Sequence, residues 1–328
     1  MSVLIVGGAG YIGSQTAKRI ARAGLTPIVL DNLTYGHEWA VKWGPFVRGD
    51  LADSALIERV LVEHRVTSVI HFAAYTYVGE SVTNPRKYFR NNLVCTLNLL
   101  DAMVDKGVRD IVFSSTAAIY GEPTAVPIPE IHPQIPVNPY GESKLAVEKI
   151  LHWYRGAYGL RFAALRYFNA AGADPDGELG EEHDPESHLI PLAIAAARGK
   201  RPELAMYGTD YPTPDGTAIR DYIHVADLAE AHWLALQHLG GAAGGSLRLN
   251  LGTGRGHSVR EVVAAVEKVS GRKVPVREVG RRPGDPPALV ADPREAAKVL
   301  GWGPEYPDLE TIVGHAFRWH DRQVPHAS

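Results

Sequence analysis

The 328 residues contain a single cysteine, Cys95. An intramolecular disulfide and any all-cysteine metal site are therefore excluded. Long apolar runs are missing as well. The longest, "LIPLAIAAA" (189–197), falls far short of the roughly 20 residues that a membrane-spanning helix needs. The opening "MSVLIVGG" has no basic segment followed by a long apolar core, so no signal peptide is expected. Nor is there an excess of one charge: a formal net charge of −3 gives no electrostatic reason to expect nucleic acid or a membrane as partner. Any anionic ligand must be held by local donors. Internal repeats and low-complexity tracts are absent, and the cytoplasm is the expected compartment.

What is present is ordinary for a soluble globular chain, with 45% hydrophobic and 22% charged residues. Short β-branched runs alternate with helix-period segments. Strands are expected at "VLIV" (3–6), "PIVLD" (27–31), "FVRGD" (46–50), "SVIHFAA" (68–74), "DIVFSS" (110–115) and "RFAALRYFN" (161–169). Helices are expected near 12–23, 53–64 and 85–106, and again opening around Tyr140. Cys95 falls within the helical apolar spacing of "NNLVCTLNLLDAMV", which predicts a buried structural thiol. This alternation predicts a parallel sheet with helices on both faces.

The proline-dense stretch 122–139 is expected to be an ordered loop, and the acidic stretch 174–187 the exit from the sheet. Beyond it the pattern predicts helices at 189–199 and 225–239, a loop over 207–222, and further sheet material at 246–254. The fold class is thus α/β, a Rossmann-type doubly wound parallel sheet with a smaller mixed α/β substrate-binding region. Residues 1–174 form the larger expected domain, with about 217–256 returning to it. Residues 175–216 and 257–328 form the smaller region.

Gly8-Ala9-Gly10-Tyr11-Ile12-Gly13 fits G-x-G-x-x-G, and Gly7, Gly10 and Gly13 fit a wider glycine spacing. The motif directly follows a strand and opens a helix, where glycines permit a tight turn and close approach of a pyrophosphate. The helix N-terminus adds free N–H groups and a partial positive charge. Asp31 ends the next strand, where a carboxylate binds ribose hydroxyls and repels a 2′-phosphate. The following Asn32-Leu33-Thr34 offers no basic residue, so NAD is the expected cofactor rather than NADP. Asp50 and Leu51 follow another strand, within reach of the adenine, and "HFAA" (71–74) is expected to line the groove.

In "PYGESK", Tyr140 and Lys144 are four residues apart and share a helical face. A phenol with a pKa of about 10 is a poor base at neutral pH. Bringing it near 7 needs about 4 kcal/mol of differential stabilisation of the phenolate. A lysine ammonium ~6 Å away, at an effective dielectric of ~20, supplies roughly 3 kcal/mol. A bound oxidised nicotinamide adds the remaining positive charge. Thr116, at the end of "DIVFSST", carries a hydroxyl suited to orienting the reacting oxygen.

The runs "GGAGYIGS", "DNLTYG", "FSSTAAIYG", "NPYGESKLAVE", "LRYFNAAGAD", "DYPTPDGTAIRDYIHVADLA" and "RRPGDPP" span nearly the whole chain. In residues and order they resemble the extended short-chain dehydrogenase/reductases, and among them the UDP-glucose 4-epimerases. The resemblance implies interconversion of UDP-galactose and UDP-glucose with tightly held NAD. Tyr140 would deprotonate the sugar 4-hydroxyl, Lys144 would hold Tyr140 and the nicotinamide ribose, and Thr116 would assist. Hydride would pass from carbon 4 to NAD, the 4-keto sugar would swing about its diphosphate link, and hydride would return on the other face.

The resemblance also implies cofactor contacts from Gly7, Gly10, Tyr11, Ile12, Gly13, Asp31, Asn32, Asp50, Leu51, Phe72, Ala73, Ala74, Asn91, Ser114, Tyr140, Lys144 and Tyr167. For the UDP-sugar it implies Thr116, Asn169, His188, Leu189, Tyr207, Arg220, Arg282, Asp285 and Leu289, with Arg220 and Arg282 as paired phosphate donors. Relatives pair into homodimers through helices equivalent to 92–106 and 143–155.

Several positions depart from the family pattern. Ala74-Tyr75-Thr76 stands where many members have Gly-Leu-Lys, so a lysine contact to the cofactor is missing and weaker NAD binding is implied. Leu289 is intermediate in size at a position linked to N-acetylated sugars, which leaves another UDP-sugar (N-acetylhexosamine or pentose) open as substrate. A dehydratase would need an acid after Thr116, where this chain has Ala117-Ala118-Ile119. His183 and His188 sit among acids, but without helical ligand spacing no metal is expected.

Overall fold

The computed structural model describes residues 1–241, 244–282 and 284–322. Residues 242–243 of the expected returning segment, Pro283 of "RRPGDPP" and residues 323–328 of the expected smaller region lie outside them. From the N-terminus, β1 (Ser2–Val6) leads through α1 (Tyr11–Arg22) to β2 (Thr26–Asp31) and β3 (Phe46–Arg48). α2 (Ser54–Glu63) and β4 (Val66–His71) follow. Two short helices, α3 (Val78–Thr83) and α4 (Pro85–Tyr88), precede α5 (Cys95–Asp105), β5 (Asp110–Thr116), α6 (Pro139–Tyr158) and β6 (Arg161–Tyr167).

After β7 (Asn169–Ala171) come α7 (Leu189–Ala197), β8 (Leu204–Tyr207), β9 (Ile219–Arg220), β10 (Tyr222–His224) and α8 (Val225–Gly240). The chain continues with β11 (Leu247–Leu251), β12 (His257–Ser258), α9 (Val259–Ser270), β13 (Val276–Val279) and β14 (Ala288–Leu289). It ends with α10 (Arg294–Leu300) and α11 (Leu309–Asp321).

Seven strands form one parallel sheet in the order β3-β2-β1-β4-β5-β6-β11. The two-residue period of a strand explains its double burial. Leu4 and Val6 pack with Ile57, Leu99, Val147 and Leu151 from α2, α5 and α6. Val3 and Ile5 pack on the opposite face with Ala17, Ile20, Leu228 and Ala235 from α1 and α8. Strand order reverses between β1 and β4, and a crevice opens at the carboxyl ends of such strands. A separate apolar cluster joins α7, α9 and α11 through Ile190, Val262 and Ile312.

Two expectations about elements need correction. The stretch 207–222 is not a plain loop. It contains β9, which pairs with β12 and β14, and the start of β10, which pairs with β7. Strands of two or three residues show no periodicity, because they are defined by partners distant in sequence. The helix expected over 85–106 is interrupted by a wide π-type turn at Phe89–Val94, a deviation frequent at functional sites.

Candidate active site

A cavity of about 430 Å³ opens at the carboxyl ends of β1, β4, β5 and β6. Gly7, Gly10, Tyr11, Ile12 and Gly13 line it, as do Asp31, Asn32, Asp50, Leu51, Phe72, Ala73, Ala74 and Asn91. Thr116, Tyr140, Tyr167, Asn169, His188, Arg220 and Leu289 complete this set of expected residues on its wall.

The glycines do different work. Gly7 has φ +79°, and a Cβ there would lie 2.6 Å from the Ala73 nitrogen. At Gly13 a Cβ would lie 2.2 Å from the Gly7 carbonyl oxygen, so helix and loop could not pack. At Gly10 the nearest atom would be 3.4 Å away, and the fold itself tolerates a methyl group. Gly10 is the N-cap of α1, which has no capping side chain and no acid in its first turn. The free N–H groups therefore face the cavity unopposed, which suits an approaching pyrophosphate. Gly10→Ala is accordingly expected to melt near the wild-type temperature but to purify with much less NAD. Gly13→Ala is expected to lose about 1–3 kcal/mol of stability. Undiminished NAD content in Gly10→Ala would remove the pyrophosphate from this loop.

Asp31 accepts the Ala9 N–H at 3.0 Å and the Leu33 N–H at 2.8 Å. Burial raises its pKa and these two donors pull it back. Asn32 donates to Asp50 at 2.6 Å, tying the ends of the second and third strand segments together. Thr76 lines the cavity where the family pattern has a lysine. Lys87 does not replace that lysine: it pairs with Glu80 at 2.7 Å and lies over the Tyr75 ring at 4.2 Å.

Helix α6 carries Tyr140 and Lys144. Asn138 caps it by accepting the Gly141 N–H at 2.9 Å, and Pro139 stands at its first position. Thr116, at the end of β5, lies beside the Tyr140 phenol on the cavity wall. Burial raises the Tyr140 pKa and the Thr116 contact opposes it. Lys144 donates to the Ser114 carbonyl at 2.8 Å, and burial lowers its pKa to about 7. This corrects the charge argument above. An ammonium that is itself poorly solvated is not a fixed charge, so the roughly 3 kcal/mol expected from it cannot be taken as constant. Neither Lys144 nor Ser114 lines the cavity; both lie behind Tyr140 and Tyr167, with the Ser114 hydroxyl bonded to the Tyr167 phenol.

The expected nucleotide residues divide. Arg220 reaches the cavity, but its guanidinium is paired with Asp285 and also donates to its neighbour's carbonyl, Ile219 O, at 2.7 Å. Arg282 stacks 3.9 Å over the Tyr207 ring. Tyr207, Arg282, Asp285 and Leu189 are not on the cavity wall, so the two arginines are not a pair of free donors on a single wall.

The sequence pattern did not point to Asn92, Glu148 or Arg166. Buried Asn92, in the wide turn, clamps the Tyr75 backbone through both amide atoms at 2.9 and 3.0 Å and donates to Ser143 at 3.1 Å. Glu148 accepts from Ser115 at 2.6 Å and from Arg166 at 3.0 and 2.6 Å. Arg166 continues to Tyr120 at 2.9 Å, and Tyr120 donates to Asn250 at 2.6 Å. The signal was available: Glu148 lies four residues beyond Lys144, on a helix face that otherwise reads as core.

His183 and His188 do sit among acids, and the loop brings those acids together around them. With Glu181 and Glu186 they bring one donor atom each to within 4.8 Å of one another. Helical ligand spacing does not govern a loop, which can fold its donors together at any interval. Burial works against both imidazolium ions, but the two carboxylates outweigh it and raise His183 to about 9 and His188 to about 10.

Comparisons with known proteins agree with this geometry. The sequence profile of the NAD dependent epimerase/dehydratase family matches residues 3–252. The chain is 51% identical over 326 residues to a UDP-glucose 4-epimerase of Halalkalibacterium halodurans, covering 99% of this chain and 97% of that one. Among solved structures, the UDP-glucose 4-epimerase of Brucella ovis in complex with NAD is 56% identical, with a TM-score of 0.94 and 97% of each chain covered. That of Bifidobacterium longum, in complex with NAD⁺ and UDP, is 40% identical with a TM-score of 0.92 over 98% of each chain.

Proposed function

The chain belongs to the NAD dependent epimerase/dehydratase family, and from that premise we propose that it interconverts UDP-galactose and UDP-glucose by epimerisation at carbon 4. The observation that carries this reading is the Tyr140 phenol beside Thr116 on the wall of a glycine-loop cavity. The groups beside it are Ala117 and Ala118, where elimination chemistry would need an acid.

The residues fit NAD: a helix start without a cap, a methyl-sized space at Gly10, and Asp31 on the cavity wall. NAD, when bound, supplies the acceptor and donor of hydride. Tyr140 takes the proton of the 4-hydroxyl as the C–H bond breaks, and returns it after the sugar has turned over. Thr116 fixes the phenol's direction. Lys144, anchored on Ser114, holds the cofactor ribose and, while protonated, favours the phenolate in front of it. Because the sugar must turn, binding energy belongs on the nucleotide. Asn169 and the Nε2 side of His188 face the diphosphate end, where Arg220 joins them by exchanging Asp285 for phosphate, with Leu189, Tyr207, Arg282 and Asp285 around the uridine, and Leu289 bounds the sugar pocket.

No helix among the described residues is long and apolar enough to cross a membrane. The reading puts the enzyme in the cytoplasm, without nucleic-acid or membrane partners. It also makes it a homodimer through the α5–α6 layer, where Trp153 is 73% exposed and Val94 and Tyr158 are exposed as well. Purified protein given UDP-galactose should form UDP-glucose without added reductant, and should sediment as a dimer. A 4-keto-6-deoxy product would sink the first statement, and a monomer at micromolar concentration the second.

A further inference from the structure

Between β7 and α7 the chain carries Glu181, His183, Glu186 and His188, all within one loop. The Nδ1 atom of His188 lies 2.8 Å from Glu181 Oε1 and 3.0 Å from Glu186 Oε1. The Nδ1 atom of His183 lies 3.3 Å from the same Glu181 oxygen and 3.7 Å from Glu186 Oε2. Ion pairing alone accounts for His188, whose contact to Glu186 is a hydrogen bond. His183 is paired less closely: its Nδ1 is buried, faces both carboxylates and makes no well-formed hydrogen bond to either. Once their protons leave, two imidazole nitrogens and two carboxylate oxygens within 4.8 Å of one another make the arrangement of a cation's donor set.

We propose that Glu181, His183, Glu186 and His188 form a four-coordinate site for a divalent transition-metal ion of the zinc class. Two imidazoles and two carboxylates match the donor types and tetrahedral number that zinc takes. The nitrogen donors disfavour magnesium and calcium, which prefer all-oxygen shells. Two carboxylates balance the charge of a dication, and binding replaces the protons that the imidazoles otherwise share with them.

A second acidic group among the described residues, Asp174, Asp176 and Glu178, is different. Its centre is filled by the Lys18 ammonium at 2.6, 2.8 and 2.6 Å.

The quartet is held in place from outside. Tyr77 donates to the Pro185 carbonyl at 2.7 Å, and His37 bonds the Glu182 carbonyl at 2.8 Å. Those anchors come from the dinucleotide half, so the loop does not need the metal in order to reach its position. His188 is the N-cap of α7 but caps nothing with its side chain, which is turned to the quartet instead. Since Glu181, His183 and His188 line the cavity, the ion fastens one wall of it.

The test reads metal, not turnover, so its failure is separable from failure of the proposed reaction. Full-length protein stripped with a chelator is titrated with Zn²⁺ against a chromophoric competitor. The expected result is about one Zn²⁺ per chain. His183→Asn and Glu186→Gln should each weaken binding by at least about 100-fold, the upper end of what even a supporting partner is worth. Exposed His152→Ala should leave it unchanged. Melting temperature and NAD content show whether each variant is folded. Co²⁺ in the wild-type chain should give the intense visible bands of a four-coordinate ion, a readout independent of any variant. Zn²⁺ uptake below about a tenth of an equivalent, a six-coordinate Co²⁺ spectrum, or undiminished affinity in a folded His183→Asn overturns the site.

Discussion

Tyr140→Phe is expected to lower kcat for UDP-galactose by roughly 10²–10⁴-fold, the usual worth of a positioned acid–base group. KM and bound NAD should stay near wild type, because the ring remains and only one oxygen is lost. The structural cost is small. Tyr140 is buried, but the neighbouring Thr116 hydroxyl accepts the Ala118 N–H at 3.1 Å and is not left without a contact. Losing one side-chain hydrogen bond costs about 1 kcal/mol. The two measurements together discriminate. A collapse of kcat with intact NAD content and melting temperature assigns proton transfer to Tyr140. Full activity would show that some other group moves the proton. The same physics explains why the phenol needs the complete site: burial raises its pKa, so the enzyme cannot keep a phenolate ready from the Thr116 contact alone.

Glu148→Leu should cost about 3–5 kcal/mol of stability, because it leaves the Arg166 guanidinium buried without its carboxylate. Both side chains are essentially inaccessible, at 0% and 1% exposure. Burial disfavours the arginine's charge, and Glu148 outweighs it, keeping the guanidinium firmly protonated. The double variant Glu148→Leu/Arg166→Met should recover most of the loss, since two apolar side chains leave no orphaned charge. Unfolding must be compared at one NAD concentration, because a ligand that binds only the folded chain stabilises it by mass action. A Glu148→Leu loss under about 1 kcal/mol would show that the pair is solvated or replaced. Turnover should fall as well. Ser115, next to Thr116, and helix α6, which carries Tyr140 and Lys144, meet at this carboxylate.

What was legible beforehand follows from what is local. The glycine loop, Asp31 at a strand end and the i, i+4 pair Tyr140–Lys144 are patterns over a few residues, and the structure puts Gly10, Asp31 and Tyr140 on the wall of one cavity. The alternation of strands and helices was readable for the same reason: each long element shows its own period. Elements of two or three residues, such as β9 and β14, were not readable, because nothing in two residues distinguishes a strand from a turn. The arginines illustrate the same limit. Arg220 looked like a free phosphate donor, yet Asp285, 65 positions later, neutralises it.

By itself the sequence determined the α/β architecture, the dinucleotide loop and the phenol proposed as the acid–base group, since short-range periodicity and spacing specify these. Only the tertiary structure decided which charges are matched, which are desolvated, and which donors converge. Lys144 is drawn down to about 7 by burial, Arg166 is bound to Glu148, and two histidines meet two glutamates in a loop. Electrostatic energy depends on distance and on exclusion of water, and neither quantity exists until the chain has folded.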